Sequence, residues 1–311
     1  MANKANKKHE RVDVYQMVTD RVLEQIEAGI IPWHKPWSAA SLSEDALAIS
    51  YTSRKPYSFL NQMLLGRNGE WLTFNQVKER GGNVKKGARA GIVVFYKQIQ
   101  VTRTARVRNA EGEEHDKEVK CNIPVLKYYH VFHIEDCEGI ESKIKVTEQP
   151  KENKQQPIKR AERVVKDYLT TQPLLKLHND KPSNRAYYSP MWDEITVPML
   201  SQYQEKEEYY STLFHEMVHS TGHSTRLNRE DGMGNKFGSH DYSREELVAE
   251  LGSAMLCTNI KIDTEVAFKN SVAYIKSWAS KLREDTKAIV WAASRAEKAA
   301  RYILGERENV K

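Results

Sequence analysis

Two histidines four residues apart, with a glutamate after the first, are the residues of this sequence that point most directly to chemistry. They are His215, Glu216 and His219, an HExxH pattern. On a helix, side chains at i and i+4 lie on one face, so both imidazoles could reach one metal ion. Glu216 would lie beside them, where it could accept a proton from a water molecule that the metal activates. The pattern therefore predicts a metal site with Glu216 as the general base.

The residues around this motif favour a helix. Glu207 and Glu208 would lie in its first turn, where the helix dipole favours negative charge. Apolar residues recur at helical spacing between 210 and 218, and Gly222 follows as a C-cap. The two histidines lie beside that apolar stripe, so we predict a helix that buries one side and presents both imidazoles.

A catalytic zinc site needs a third protein ligand and an open position. No cysteine lies near the motif, and the downstream candidates are His223, Asp241, Glu245, Glu246 and Glu250. His223 is the weaker choice because it follows Gly222, where the helix is expected to have ended.

The carboxylates among these candidates lie on a second amphipathic helix, predicted from 242 to 256. Glu246 and Glu250 share a face of this helix, whereas Glu245 is turned away. The simplest arrangement takes one of that pair as the third ligand and the other as the hydrogen-bond partner of a ligand histidine. Small residues would let this helix pack closely on the first: Ala249, Gly252, Ser253 and Ala254.

The N-terminal half carries a strongly basic block. Residues 51–108 contain twelve Lys and Arg and two acids, a net charge of +10, although the whole chain carries only +6. Aromatic residues are threaded through the block and precede it. Cations that follow a phosphate backbone, together with rings on which bases stack, are typical of single-strand binding. A merely solubilising surface and structural aromatic residues are the alternative interpretation.

The sequence resembles ArdC-type antirestriction proteins in both halves. In the second half the resemblance rests on the run from His215 to Arg229, on 242–251, on the segments 184–190 and 193–198, and on 273–278 and 287–300. In the first half it rests on 31–37, 57–61, 71–76, 82–87 and 129–139. Together these stretches cover nearly the full chain, in the order that the family shows.

The resemblance implies an α+β protein: an N-terminal α+β domain that binds single-stranded DNA, then a mostly helical zincin-like metallopeptidase domain with a small sheet. It implies that Glu246, which opens the second helix, is the third ligand, with Glu250 as the alternative. It also implies a strand pair at 184–190 and 193–198, the second strand being the edge beside the site. Zn²⁺ is the expected metal, with Mn²⁺ or another divalent ion as alternatives, and Tyr242 or His223 could stabilise an oxyanion.

The basic block and the resemblance together select candidate contacts to single-stranded DNA. They are Trp33, Trp37, Arg54, Lys55, Tyr57, Asn61, Trp71, Lys85, Lys86, Arg89 and Lys97.

Composition and local pattern predict the organisation of the chain. We expect a single-stranded-DNA-binding domain at 1–140, a polar linker at 141–157 and the metallopeptidase domain at 158–311. Helices are predicted from 12 to 29 and from 73 to 79, and a strand from 91 to 102 pairs with one from 125 to 134 across a loop at 110–120. Three separated cysteines and the lack of a signal peptide or long apolar run predict a cytoplasmic protein without membrane contact.

Three functions are compatible with this reading. The resemblance implies a protein of plasmids and other mobile elements that shields incoming single-stranded DNA from host restriction, with a metal-dependent peptidase domain that could act on a host protein. In the first alternative the zincin domain is catalytically idle and the chain is only a DNA-protection factor. In the second, the metallopeptidase cleaves a regulatory host protein and the basic domain localises it to DNA.

Overall fold

A computed structural model describes residues 12–28, 32–33, 47–108, 114–144, 156–229, 240–262 and 272–306. The fold is α+β, as predicted. Within these ranges the helices are α1 Val14–Glu27, α2 Phe59–Leu65, α3 Phe74–Glu79, α4 Gln156–Thr171, α5 Lys206–Ser220, α6 His240–Asn259, α7 Val272–Glu284 and α8 Ala288–Ile303. The strands are β1 Ala48–Ser50, β2 Gly69–Thr73, β3 Asn83–Val84, β4 Gly91–Arg108, β5 Glu114–His133, β6 Cys137–Glu138, β7 Lys176–His178, β8 Tyr187–Ser189 and β9 Glu194–Thr196.

The first half is built on a four-stranded sheet of order β1-β2-β5-β4. β1 and β2 are parallel, and the other two pairs are antiparallel. Helix α2 is fixed to this sheet by Asn61, whose side-chain amide donates to the carbonyl oxygen of Val94 and accepts from its N–H, at 2.9 and 2.7 Å. Because this buried amide pairs with both backbone groups of one residue, it sets the position of α2 on β4.

The hairpin of β4 and β5 is longer than predicted. Its ladder runs from Gly91 paired with Val131 to Arg108 paired with Glu114. The predicted loop at 110–120 is therefore wrong for 114–120, which belong to β5, and 109–113 lie outside the described residues. The segment 114–120 is almost entirely charged, with Val119 as its one apolar residue. Its composition therefore resembles a loop, but cross-strand pairing to β4 keeps it extended.

The predicted N-terminal helix is confirmed as α1, which begins after the N-cap Asp13. Its apolar face joins the same hydrophobic core as α5, α6 and α8, through Val18, Val22 and Ile26. The Thr19 hydroxyl donates to the carbonyl oxygen of Thr286 at 2.8 Å, which fixes α1 to the turn between α7 and α8. The first helix of the predicted DNA-binding domain is thus packed on the metallopeptidase half. The division of the chain into two domains joined by a linker at 141–157 stays a prediction.

Helices α5 and α6 pack as closely as the small residues predicted. A Cβ atom on Gly252 would lie 2.8 Å from Cγ2 of Val218, so only glycine fits there without displacing a neighbour. The Ser253 hydroxyl donates to the carbonyl oxygen of Ser211 at 2.7 Å. This contact brings the carboxylates of α6 up to the histidines of α5.

The small sheet of the second half has the order β7-β9-β8. The predicted strand pair is present as β8 and β9, which are antiparallel. The expectation that 193–198 forms an edge strand is wrong, because β9 is central and its second side pairs in parallel with β7. The motif 184–198 alone could not reveal this, since β7 comes from a separate segment.

Candidate functional site

The predicted metal ligands meet where α5 packs on α6. Nε2 of His215 and Nε2 of His219 are 3.1 Å apart, as expected for imidazoles one helical turn apart. The Glu246 carboxylate faces both: Oε2 lies 3.5 Å from Nε2 of His215, and Oε1 lies 3.4 Å from Nε2 of His219. Three side chains from two helices therefore direct donor atoms at one point, all within 4.8 Å of one another.

A further carboxylate faces the remaining nitrogen of each histidine. Oε2 of Glu250 lies 3.7 Å from Nδ1 of His215, which places Glu250 in the outer position predicted for one member of its pair. Oε1 of Glu245 lies 3.5 Å from Nδ1 of His219. Carboxylates in this position orient a ligand histidine and increase its basicity.

The role of Glu245 was missed because helical phase alone turns it away from Glu246. Its side chain is buried against Arg229, whose Nη2 donates to Oε1 at 2.6 Å and whose Nε donates to Oε2 at 3.1 Å. The same guanidinium donates to the Thr221 hydroxyl and to the carbonyl oxygen of Val218. The sequence did contain a signal for this ion pair. Arg229 is the last residue of the run 215–229 and Glu245 lies in the segment 242–251, the two stretches on which the family resemblance of this half rests.

These carboxylates create a strongly negative site. Burial lowers the pKa of His215, but Glu246 and Glu250 outweigh it and raise that pKa well above its usual value. Burial also lowers the pKa of His219, yet Glu245 and Glu246 raise it to about 9. Burial raises the pKa of Glu246, whereas the two histidines bring it far below its usual range. The site thus favours positive charge, which either protons or a cation can supply.

The other residues predicted around the site have different surroundings. Glu216 is on α5 and is only 7% exposed. His223 is not part of the donor cluster, and its Nδ1 lies 2.8 Å from the Thr225 hydroxyl. The side chains of Asp241 and Tyr242 lie outside the described part of the chain.

Three predicted DNA contacts are corrected by their burial. Trp33 is 1% exposed, Asn61 1% and Trp71 5%, so none of them presents a surface on which a base could lie. Trp71 donates from its indole nitrogen to the carbonyl oxygen of Arg67 and packs its ring against His133. Their apolar or backbone-pairing side chains complete the core, which an aromatic count along the sequence cannot distinguish from a binding surface.

The remaining predicted DNA contacts differ in their exposure and in the partners of their side chains. Arg54 forms an ion pair with the fully buried carboxylate of Glu70, and Nζ of Lys85 donates to the carbonyl oxygen of Glu135 at 2.8 Å. Tyr57 is half-buried, and Trp37 lies outside the described residues. Five cations are exposed: Lys55, Lys85, Lys86, Arg89 and Lys97.

Known proteins match both halves of the chain. The N-terminal domain of anti-restriction factor ArdC matches residues 12–132, and the zincin-like metallopeptidase family matches residues 167–295. The metal-free crystal structure of the antirestriction ArdC protein from the R388 plasmid is 30% identical, and the alignment covers 96% of this chain and 100% of that one with a TM-score of 0.65. This chain belongs to the ArdC-type antirestriction family.

Relatives of the ArdC-type chain include proteins of other sizes. Two DNA primases TraC of Escherichia coli are 29% and 30% identical over 93% of this chain, which spans 20% and 27% of their length. An uncharacterized protein y4eC of Sinorhizobium fredii is 29% identical over 96% of this chain and 93% of its own length. In the ranges that the structure describes, no helix is both long and apolar enough to cross a membrane.

Proposed function

We propose that this ArdC-type chain protects incoming DNA of a mobile element from host restriction, binding single-stranded DNA through its first half and a divalent metal ion at His215, His219 and Glu246. The observation that carries the metal site is the convergence of two imidazole nitrogens and a carboxylate. The R388 ArdC protein has also been solved in an Mn(II)-bound form, 28% identical with a TM-score of 0.65, which supports a divalent ion here. Zn²⁺ is the ion we expect, because two imidazoles and a carboxylate are its usual donors in catalytic sites.

The spacing of the donor atoms fits such an ion. Ligands about 2.0–2.1 Å from a tetrahedral metal lie about 3.3–3.4 Å from one another. The two Nε2 atoms are 3.1 Å apart, and each lies 3.4 or 3.5 Å from a different oxygen of Glu246, so the site is close to the size that one ion needs. The outer carboxylates of Glu245 and Glu250 would hold each histidine with Nδ1 protonated and Nε2 free to bind the ion.

Hydrolysis of a peptide bond is the reaction that this arrangement supports best. When bound, the ion supplies Lewis-acid chemistry, polarising a carbonyl group and lowering the pKa of a water molecule. Glu216 accepts the proton of the attacking water and passes it to the leaving amine. Arg229 keeps Glu245 ionised and in place, so that His219 stays oriented. The substrate would be a host protein.

Replacing Glu216 by glutamine tests whether hydrolysis contributes to protection. We expect transfer of unmodified plasmid DNA into a restricting host to fall to the level without the protein, because the amide cannot accept a proton. Metal binding by calorimetry and DNA binding should stay unchanged, since Glu216 is proposed neither as a ligand nor as a DNA contact. Full protection by Glu216→Gln would assign protection to DNA binding alone, the alternative with an idle zincin domain.

Reversing the charge of Lys86 and Arg89 tests the DNA-binding surface. Both are exposed, and they avoid Lys85, whose Nζ is bound to a backbone carbonyl. For two lost phosphate contacts we expect the slope of log affinity against log salt concentration to decrease by about 1.4 for single strands. The matched control reverses Lys159 and Lys166, exposed lysines of α4, and should leave the slope unchanged. Equal behaviour of the two variants would make the basic block a solubilising surface.

A further inference from the structure

Two aromatic rings on one face of the β4–β5 hairpin are exposed to solvent although they are large and lie on regular strands. Phe95 is 45% exposed and Tyr129 is 47% exposed. Their ring centroids are 5.9 Å apart, and the half-buried ring of Tyr57 lies 6.3 Å from that of Phe95. Within the described part of the chain, Phe95 and Tyr129 stay largely open to solvent, and grouped exposed apolar side chains mark interaction sites. We call these three rings the aromatic strip.

The strip begins where the core beneath the sheet ends. Phe95 and Tyr129 lie on the same face of the hairpin as Val93 and Val131, because residues two apart on a strand point the same way and Val93 pairs with Tyr129. The two valines are each 1% exposed. Phe95 follows Val93 on this face and Tyr129 pairs with Val93, yet both rings are exposed. The face therefore changes from core to open surface within one residue pair.

The charge of this face is entirely positive. Among the strand positions that point the same way as Phe95, from 91 to 103 and from 119 to 131, the sequence has three cations and no acid. They are Lys97, Arg103 and Lys127, all exposed. Lys127 is the direct cross-strand partner of Phe95, and Lys97 follows Phe95 on the same strand face. Rings and cations therefore alternate over a short distance, which suits a ligand with flat faces and a phosphate backbone.

We propose that the aromatic strip is the base-stacking surface of this protein, on which unpaired bases lie while Lys97 and Lys127 contact the phosphates between them. This inference rests on the proposed single-stranded-DNA binding and gives it a location and a mechanism of selectivity. The rings are tilted by 51° and 66° rather than stacked face to face, so a base can lie on a ring without disrupting a ring–ring stack. Bases of a duplex have both faces covered and cannot use the strip.

The experiment compares binding of a fluorescent oligothymidylate and of a duplex by the full-length wild type and by Phe95→Leu/Tyr129→Leu. Leucine keeps apolar bulk and removes the flat ring. Because each lost stack costs roughly 5- to 150-fold in affinity, we expect the double variant to bind the single strand at least 25-fold more weakly. Its salt slope and its duplex affinity should equal those of the wild type, since no charge has changed. Phe74→Leu is the matched control, because Phe74 is 50% exposed on α3 and outside the strip.

The possible outcomes separate the two proposals. A wild type that binds no single strand would overturn both the proposed DNA binding and the strip. Wild-type binding that the double leucine variant keeps would overturn the strip alone. A weakened variant with an unchanged salt slope, together with normal binding by Phe74→Leu, would establish it. A second measurement needs no variant, so misfolding cannot affect it. A 5-iodouracil oligonucleotide photo-crosslinked to the wild type should attach to Phe95, Tyr129 or Tyr57, and attachment elsewhere would contradict the proposal.

Discussion

Replacing Glu246 by glutamine is expected to weaken divalent-metal binding far more than the same replacement of Glu250. The two glutamates lie one turn apart on α6, and their side chains are 26% and 20% exposed, so they form a matched pair. Glu246 faces Nε2 of both histidines, and we expect its loss to remove a ligand. Glu250 faces Nδ1 of His215 rather than its Nε2, and the loss of such an outer partner costs about 10- to 100-fold in metal affinity.

Competition titration with a chromophoric chelator, using Zn²⁺ and Mn²⁺ in turn, measures both affinities. We expect Glu250→Gln to stay within the outer-partner range, and Glu246→Gln to fall below it or to lose stoichiometric binding. Circular dichroism checks that each variant is folded. The reverse order of effects would make Glu250 the third ligand, and equal small effects would show that neither carboxylate binds the ion.

Replacing Arg229 by methionine is expected to destabilise the fold by about 3–5 kcal/mol. Arg229 is 8% exposed and Glu245 is 3% exposed, and two hydrogen bonds join them. Removal of the guanidinium takes two hydrogen bonds and a positive charge from a buried carboxylate, which keeps only the imidazole of His219, 3.5 Å away. Breaking buried pairs typically costs this amount. The carbonyl oxygen of Val218 and the Thr221 hydroxyl lose a donor as well.

Urea unfolding in the presence of chelator, which removes the contribution of a bound ion, measures this loss of stability. Arg301→Met is the control, because Arg301 pairs with Glu297 four residues away on an exposed part of α8 and should change the free energy of unfolding by less than about 1 kcal/mol. Arg229→Met/Glu245→Leu should be more stable than Arg229→Met, since the double variant has no stranded charge. A single variant as stable as the wild type would refute the structural role assigned to this pair.

The metal cluster was predictable because its chemistry is local to two helices. The i, i+4 spacing places His215 and His219 on one face of α5, and Glu246 and Glu250 on one face of α6. Both placements follow from the sequence without knowledge of the tertiary structure. The position of Glu245 was not predictable by phase, since it depends on Arg229 arriving from the loop after α5. Similarly, β9 became central only through pairing with β7, a contact between segments that no local pattern encodes.

The DNA contacts, unlike the metal ligands, could not be predicted reliably from the sequence. Charge per segment located the basic block, but it could not separate rings in the core from rings on the surface. Trp33 and Trp71 were predicted DNA contacts and Phe95 and Tyr129 were not, yet the first two rings are buried and the last two are exposed. Strand register supplies the missing information, because alternation and pairing decide which face each ring occupies.

Anomalous diffraction from a crystal grown with Zn²⁺ or Mn²⁺ tests the central proposal most directly. Data on both sides of the metal absorption edge should show one strong peak about 2.0–2.2 Å from Nε2 of His215, Nε2 of His219 and a carboxylate oxygen of Glu246. The carboxylates of Glu245 and Glu250 should remain on the Nδ1 atoms and outside the coordination shell. A crystal that is saturated with the ion and shows no peak between these three side chains, or a peak elsewhere, would contradict the proposed metal centre.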